Sequence, residues 1–323
     1  MERLVTDMTE TEILFDLLEK GISPAHAVSA CEKRLTDAGF EVVDYGTAWN
    51  LKAGGKYVIN HHETTLFAFT LPQNWSDREP AIRIAAAHTD FPCLRIKPSC
   101  DIQTNGYAQV NVEVYGGAIL NTWLDRPLGV AGRVAVRSGD VFTPKVVTFQ
   151  SEKNLMTIPN LAIHMNREVN KGVELNKQTE LLPICGLSDD ADYFLDFLVK
   201  ELAVKKEDIL DFELTIYNKE KPEFVGLNDE FISASRLDNL NSCSALVSAI
   251  IDSDRADGMN LIALFDHEEI GSRSKQGAGS ILLHDMLVRI LTECGLEKEV
   301  WNRLYNSMIL SVDVAHGLHP NYA

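Results

Sequence analysis

The chain has 323 residues, 45% hydrophobic and 24% charged, which is typical of a globular protein with a sizeable core. Its 47 acidic residues exceed its 30 Lys and Arg residues, and the net charge of −17 argues against nucleic acid or a membrane surface as a partner. The six cysteines are widely spaced, and neither a signal peptide nor the ~20-residue apolar run of a transmembrane helix is present, so we expect a cytoplasmic protein with reduced thiols.

Helix signals come first along the chain. Thr9, with Glu12 three residues later, forms a capping-box pattern ahead of apolar residues at helical spacing. Ser23 and Pro24 predict the start of a second helix, and Gly39 predicts its end. Strand-like runs follow at residues 56–60, 65–71 and 81–87.

The middle of the chain contains short β-branched runs separated by Gly, Asn and Pro, which predict small antiparallel strands. They lie at 110–115, 133–136, 145–149 and 212–217, with one helix near 190–202. After Pro222, apolar helices and strands alternate again at 240–251, 261–265, 281–291 and 308–314. The predicted fold class is therefore α/β: a domain with a mixed central sheet flanked by helices, formed by 1–95 and 232–323 and interrupted by a β-rich domain at 96–231.

An acidic pair, Glu268 and Glu269, follows the apolar run that ends at Phe265. Carboxylates at the tip of a buried strand are costly to desolvate, so a pair of them favours a neutralising metal ion. The alternative is a loop that is acidic because the whole protein is acidic. The helical zinc motif His-Glu-x-x-His is excluded, since residue 271 is Gly.

Four separate segments carry side chains of the kind that bind metals. They are His88 with Asp90, Asp238, Glu268 with Glu269, and Asp313. Sites in α/β sheets form beyond the carboxyl ends of the strands, so these segments are candidates for one pocket. Carboxylate oxygens with one imidazole suit Zn²⁺, Mn²⁺ or Co²⁺ and do not suit a thiolate zinc site. Each residue alone also has a structural reading: a hydrogen-bonded histidine at a strand end, a helix cap, or a buried polar pair.

Several segments resemble the M18 family of metallo-aminopeptidases, the aspartyl aminopeptidase group. The matching segments, which extend in order over the whole chain, are His88-Thr89-Asp90 and residues 121–128, 160–164, 235–239, 266–272, 276–278 and 311–321. The resemblance implies a metallopeptidase domain and a dimerisation role for the β-rich insertion. It also implies an enzyme that removes N-terminal residues, acidic ones above all, from peptides.

The resemblance implies a role for each candidate residue. Asp238 would bridge two divalent ions, of which zinc is expected and manganese or cobalt are alternatives. His88 and Asp313 would complete one ion's ligands, and Glu269 would bind the other. Glu268 would be the general base that takes a proton from the bridging water. Asp90 would orient the His88 ring.

Three further histidines are implied to lie at or near an active site. His316 and His319 would border the site as substrate-contacting or supporting groups, with a structural role as the alternative. His164, in the inserted domain, would reach the site of a neighbouring subunit in a dimer, and the family assembles as a dodecamer.

The sequence departs from the family at its end, because family members continue beyond Ala323 to a histidine that completes the second ion's ligands. We therefore expect a fragment that binds at most one ion tightly and is inactive alone. Two alternatives remain at this stage: an aminopeptidase for neutral N-terminal residues, and a non-catalytic assembly protein of the same fold with an incomplete site.

Overall fold

The computed structural model describes residues 8–76, 80–172, 174–253 and 255–322. It divides into two compact units, one of Met1–Phe91 with Pro222–Ala323 and the other of Pro92–Lys221. The inserted unit thus begins at residue 92 and ends at 221, where the sequence predicted 96 and 231. The difference at the second boundary comes from a hairpin after Pro222, whose Phe224 ring packs 5.1 Å from the Phe15 ring of the first unit.

Fourteen strands and six α-helices are assigned in the described chain. The helices are α1 (Glu10–Lys20), α2 (Pro24–Asp37), α3 (Tyr193–Leu202), α4 (Leu237–Ile251), α5 (Leu282–Glu293) and α6 (Val300–Tyr305). The strands are β1 (Glu41–Val42), β2 (Lys56–His61), β3 (Thr65–Thr70), β4 (Ile82–His88), β5 (Cys93–Thr104), β6 (Tyr107–Tyr115), β7 (Leu128–Val136), β8 (Lys145–Gln150), β9 (Ile184–Leu187), β10 (Ile209–Asn218), β11 (Glu223–Val225), β12 (Phe231–Ser233), β13 (Met259–Phe265) and β14 (Met308–Ser311).

The capping signals at the start of the chain are confirmed. Thr9 accepts a hydrogen bond from the Glu12 N–H, and the Glu12 carboxylate accepts one from the Thr9 N–H, which completes the capping box of α1. Ser23 caps α2, whose first residue is Pro24. These bonds satisfy N–H groups that a helix start leaves without partners.

The first unit is built around a mixed six-stranded sheet with the order β1-β2-β3-β13-β4-β14. β13, β4 and β14 run parallel to one another, whereas β3 is antiparallel to both β2 and β13. All six residues of β3 are buried, so helices cover both faces of this part of the sheet. One face packs Phe67 and Phe69 against Met286 and Ile290 of α5.

The second unit is β-rich and has its own core. Its sheet has the order β8-β7-β10-β5-β6-β9, and every neighbouring pair is antiparallel. Val130, Leu214 and Ile216 on these strands pack with Phe194 and Leu198 of α3. The predicted α/β class with a β-rich insertion is confirmed.

Several elements differ from the sequence prediction, among them the short strands β1, β9, β11 and β12, which were not predicted. β5 was not predicted, because its polar and Pro-containing sequence masks a long strand that bulges between Ile96 and Asp101. The short helix α6 was also not predicted. β14 ends at Ser311 rather than at residue 314, and it forms an edge of the sheet with Met308, Ile309 and Leu310 half exposed. Within the described residues, no helix has the length and apolar character that crossing a bilayer requires.

Candidate metal centre and active site

Parallel strands bring two of the predicted ligand segments to one edge of the sheet. His88 is the last residue of β4 and lies beside Phe265, the last residue of β13. Asp313 lies two residues beyond the neighbouring strand β14, and the Val312 N–H donates to the Ala86 carbonyl of β4 (2.8 Å). The carboxyl ends of parallel strands meet at one edge, and His88 and Asp313 therefore approach each other.

Asp238 enters from the start of α4, where the helix is irregular. Arg236 adopts a left-handed conformation (φ 64°), and Asp238 and Asn239 have non-helical backbone angles and are joined by a cis peptide bond. The Arg236 guanidinium donates to the Leu18 carbonyl at the end of α1 (2.8 Å) and lies over the Phe91 ring. Arg236 thus fastens the segment before Asp238 to the rest of the first unit.

The three side chains form one group around the outer nitrogen of His88. Its Nε2 lies 3.3 Å from Asp238 Oδ1 and 3.6 Å from Asp313 Oδ1, and ligand atoms of all three side chains lie within 4.8 Å of one another. Zinc–ligand bonds of ~2.0–2.2 Å in tetrahedral geometry imply ligand atoms about 3.3–3.6 Å apart. The group therefore fits one zinc ion. Asp313 is half exposed, so the alternative of a buried polar pair is wrong for this residue.

Asp90 is fully buried and orients the His88 ring from behind. His88 Nδ1 lies 2.9 Å from the Asp90 carbonyl oxygen and 3.3 Å from its carboxylate Oδ1. The shorter contact is to the backbone, so main chain and side chain of Asp90 act together on the ring. A proton on Nδ1 leaves the Nε2 lone pair facing the carboxylates, which is the tautomer that a metal needs.

The same carboxylate holds the acidic pair. Asp90 Oδ1 accepts the Glu268 N–H and Asp90 Oδ2 accepts the Glu269 N–H, each at 3.1 Å. The two glutamates lie in a short 3₁₀ turn, Glu268–Ile270, rather than on an extended strand end. Because the chain leaves β13 through His267 in a left-handed conformation (φ 64°), the two glutamates do not continue the alternation of the strand.

Glu268 projects from this turn toward His88. Its Oε2 lies 3.8 Å from His88 Nε2, and its side chain is about half exposed. Glu269 is partly buried. One imidazole therefore faces three carboxylates, those of Asp238, Asp313 and Glu268.

The electrostatics of the group favour a bound cation. Burial by itself lowers the pKa of His88, but the hydrogen bond and charge of Asp90, followed by the charge of Glu268, raise that pKa to about 9. Burial raises the pKa of Asp238, and the neighbouring Asp313 raises it further against the opposing charge of His88. Clustered carboxylates disfavour one another's ionised form, and a divalent cation removes that penalty.

The remaining predicted histidines do not belong to the group of three metal-binding side chains found among the described residues. His316 and His319 are exposed on the segment after Asp313, and His319 contacts the Tyr322 ring (4.9 Å) and accepts from the Asn321 N–H. His164 is exposed in a turn of the second unit. Among the described residues, no hydrogen bond joins His316 or His319 to the metal-binding group.

Sequence reasoning missed two supports of the site. Asn239 donates to the Val312 carbonyl, next to Asp313, and His267 Nδ1 contacts the Ser274 hydroxyl at 2.7 Å in the loop after the acidic pair. Both residues lie within recognised motifs. The partner of Asn239 is distant in the chain, and the partner of His267 lies across a loop. No spacing pattern in the sequence could have paired them.

The site gathers an imidazole and several carboxylates beyond the ends of parallel strands in an α/β fold, and its ligand group contains no thiolate. Such a site is typical of metallohydrolases. The family described as Aminopeptidase I zinc metalloprotease (M18) matches residues 17–323. The chain belongs to this M18 family. The predicted resemblance is therefore confirmed.

Individual relatives agree with this assignment. A probable M18 family aminopeptidase 2 of Clostridium novyi is 40% identical over 314 residues, which are 95% of this chain and 72% of the relative. A cryo-EM structure of the Ape4 and Nbr1 complex matches with a TM-score of 0.87 and 32% identity, over 99% of this chain and 67% of that chain. The structure of the S. cerevisiae mApe1 dodecamer shares the fold, with a TM-score of 0.75 at 24% identity over 97% of this chain and 73% of that chain.

Proposed function

We propose that the chain carries the metal site of a co-catalytic, dinuclear zinc aminopeptidase that removes acidic N-terminal residues from peptides. The observation that carries the proposal is the group of three carboxylates, Asp238, Asp313 and Glu268, within 3.3–3.8 Å of His88 Nε2. Family membership supports hydrolysis at the N-terminus of a peptide. The resemblance to the aspartyl aminopeptidase group supports the acidic preference.

The side chains divide into those that hold an ion and those that orient them. His88, Asp238 and Asp313 would hold the first ion, and their donor set of one nitrogen and carboxylate oxygens is one that zinc accepts. Asp90 fixes the His88 ring through its Nδ1. When bound, zinc ions lower the pKa of a water molecule toward ~7 and polarise the scissile carbonyl.

Glu268 would act as the general base and then as the general acid. It would take a proton from the attacking water and pass it to the nitrogen of the leaving peptide. Its position supports this role, because the side chain is half exposed to solvent while its N–H is held by the buried Asp90. A base on an anchored turn needs little rearrangement to reach its proton.

The second ion would be held by Asp238 and Glu269. The support is weaker here, since the described residues contain one group of three side chains suited to an ion, and Glu269 does not belong to it. A catalytic zinc ordinarily has three protein ligands. We therefore propose that the 323-residue polypeptide by itself holds one ion tightly and has little or no activity.

Substrate and assembly follow from the resemblance. Peptide N-termini would be the substrate, with His316 and His319 near the rim. The inserted unit would mediate dimerisation within a larger homo-oligomer, with His164 serving a neighbouring site, and the dodecamer of the mApe1 protein supports self-association. Six free cysteines, four of them buried, support a reducing cytoplasmic location.

The test compares Glu268→Gln with the unchanged protein, both as complete gene products. The amide keeps the size of the side chain but cannot take a proton, so turnover of Asp- and Glu-nitroanilides should fall by about 10²–10⁴-fold. Metal content, measured by elemental analysis, should stay the same. Retained turnover in Glu268→Gln would contradict the assignment of the base.

The same assay separates the alternatives. Faster cleavage of Leu-nitroanilide than of the acidic substrates would favour a neutral-residue aminopeptidase. Full metal loading and oligomerisation of the unchanged protein without turnover of any of the three would favour a non-catalytic assembly protein.

A further inference from the structure

We propose that Asn239 is a positioning residue that keeps the Asp313 backbone at the distance from Asp238 that one shared cation needs. The inference rests on the proposed metal site and concerns a residue that is not one of its ligands. Asn239 follows Asp238 directly at the irregular start of α4. Its effect on the cation would be exerted through the backbone of the neighbouring ligand segment.

The contact joins the two ligand segments. Asn239 is completely buried, and its Nδ2 donates to the Val312 carbonyl at 3.0 Å. The Val312 carbonyl belongs to the peptide group that leads into Asp313. The bond thus links two residues that are 73 positions apart in the chain, and each of them is the sequence neighbour of a ligand, Asp238 or Asp313.

Asp313 depends on such backbone anchors. Its side chain is about half exposed, so packing alone does not fix its position. The Val312 N–H donates to the Ala86 carbonyl of β4, and Asp313 Oδ1 accepts the Val314 N–H at 2.7 Å. The first of these bonds ties the segment to the strand of His88, the second is local, and the Asn239 bond ties the segment to Asp238.

The buried environment of Asn239 supports a specific role for its amide. The other end of the amide, Oδ1, is buried and has no hydrogen-bond partner in the part of the chain that the structure describes. A buried acceptor without a partner is unfavourable, so an apolar side chain would serve better if packing were its only purpose. What the amide supplies is the donor to Val312.

The test uses Asn239→Leu, which keeps the volume and removes the donor, and Asn239→Asp, which keeps the shape. Thr215→Val is the matched control, because buried Thr215 likewise donates to a backbone carbonyl, that of Ala131 (3.2 Å), but within the second unit. Co²⁺ binding is followed by calorimetry and by the visible d–d absorption of the bound ion. Thermal melting monitored by circular dichroism verifies that each protein is folded.

We expect both Asn239 variants to bind Co²⁺ at least about 10-fold more weakly and to show an altered absorption spectrum. A loss of affinity of about 10-fold is the lower end of what replacing a residue that supports a metal ligand causes. Thr215→Val should bind with the affinity and spectrum of the unchanged protein. The same affinity and spectrum in all four proteins would overturn the role of Asn239. Equal weakening in Thr215→Val would overturn it as well, since general loosening of the fold would then explain the effect. Absence of Co²⁺ binding by the unchanged protein would instead overturn the metal site itself.

Discussion

Replacing Asp90 by Asn tests how one buried carboxylate organises the site. Asp90 receives the N–H groups of Glu268 and Glu269 on its two oxygens and contacts His88 Nδ1. In Asp90→Asn, an NH₂ group takes the place of one carboxylate oxygen. One acceptor is lost, and the NH₂ group faces the backbone N–H of Glu268 or Glu269. Asp90 is fully buried, and water therefore does not compensate for the loss.

The size of the effect follows from the lost bond. A hydrogen bond to a charged group contributes about 1.5–3 kcal/mol. Because 1.4 kcal/mol corresponds to a factor of ten, zinc affinity or turnover should fall by about 10–150-fold. The pKa of His88 should also fall below about 9, because the charge of Asp90 that opposes the effect of burial is gone.

Two assays measure these effects: zinc titration by calorimetry, and NMR titration of the His88 ring in the metal-free protein. Asp101→Asn is the control, since Asp101 likewise accepts two backbone N–H groups, those of Phe194 and Leu195, but in the second unit. An unchanged His88 pKa together with unchanged zinc affinity in a folded Asp90→Asn protein would refute the reasoning.

Two further predictions concern protons and thiols. A proton on His88 Nε2 competes with a metal ion, and the pKa of His88 is about 9. The zinc affinity should therefore rise about tenfold per pH unit between about pH 6.5 and 8.5 and level off above about pH 9. Competition titrations across this range measure the affinity, and an affinity independent of pH would contradict the prediction. Burial raises the pKa of the Cys31 thiol to about 12 and that of Cys243 well above its ordinary value, so neither should react with a disulfide reagent at pH 8 in the folded protein. Mass spectrometry locates the labelled residues, and rapid labelling of either without unfolding would contradict this expectation.

Local signals predicted the elements that carry the site. Apolar runs ending in polar residues located β4 with His88 and β13 before the acidic pair. The parallel pairing of β4 with β14 explains why His88 and Asp313 meet. Thr9 and Ser23 marked helix starts through capping chemistry that acts within four residues. Such features depend on neighbours in the chain, so the sequence contains them.

Features that depend on distant partners were not predictable. The turn of Glu268 is held by Asp90, 178 residues away, and nothing in the residues 265–272 distinguishes this turn from a strand end. The bond from Asn239 to Val312 likewise spans 73 residues. β5 was missed because a strand with polar residues and a bulge lacks the alternation that identifies strands.

The most direct test of the account is the position of zinc in crystals of the protein, measured by anomalous diffraction at the zinc absorption edge. The account predicts a peak about 2.0–2.2 Å from His88 Nε2 and from carboxylate oxygens of Asp238 and Asp313. A zinc-loaded crystal without a peak among these three side chains would contradict it.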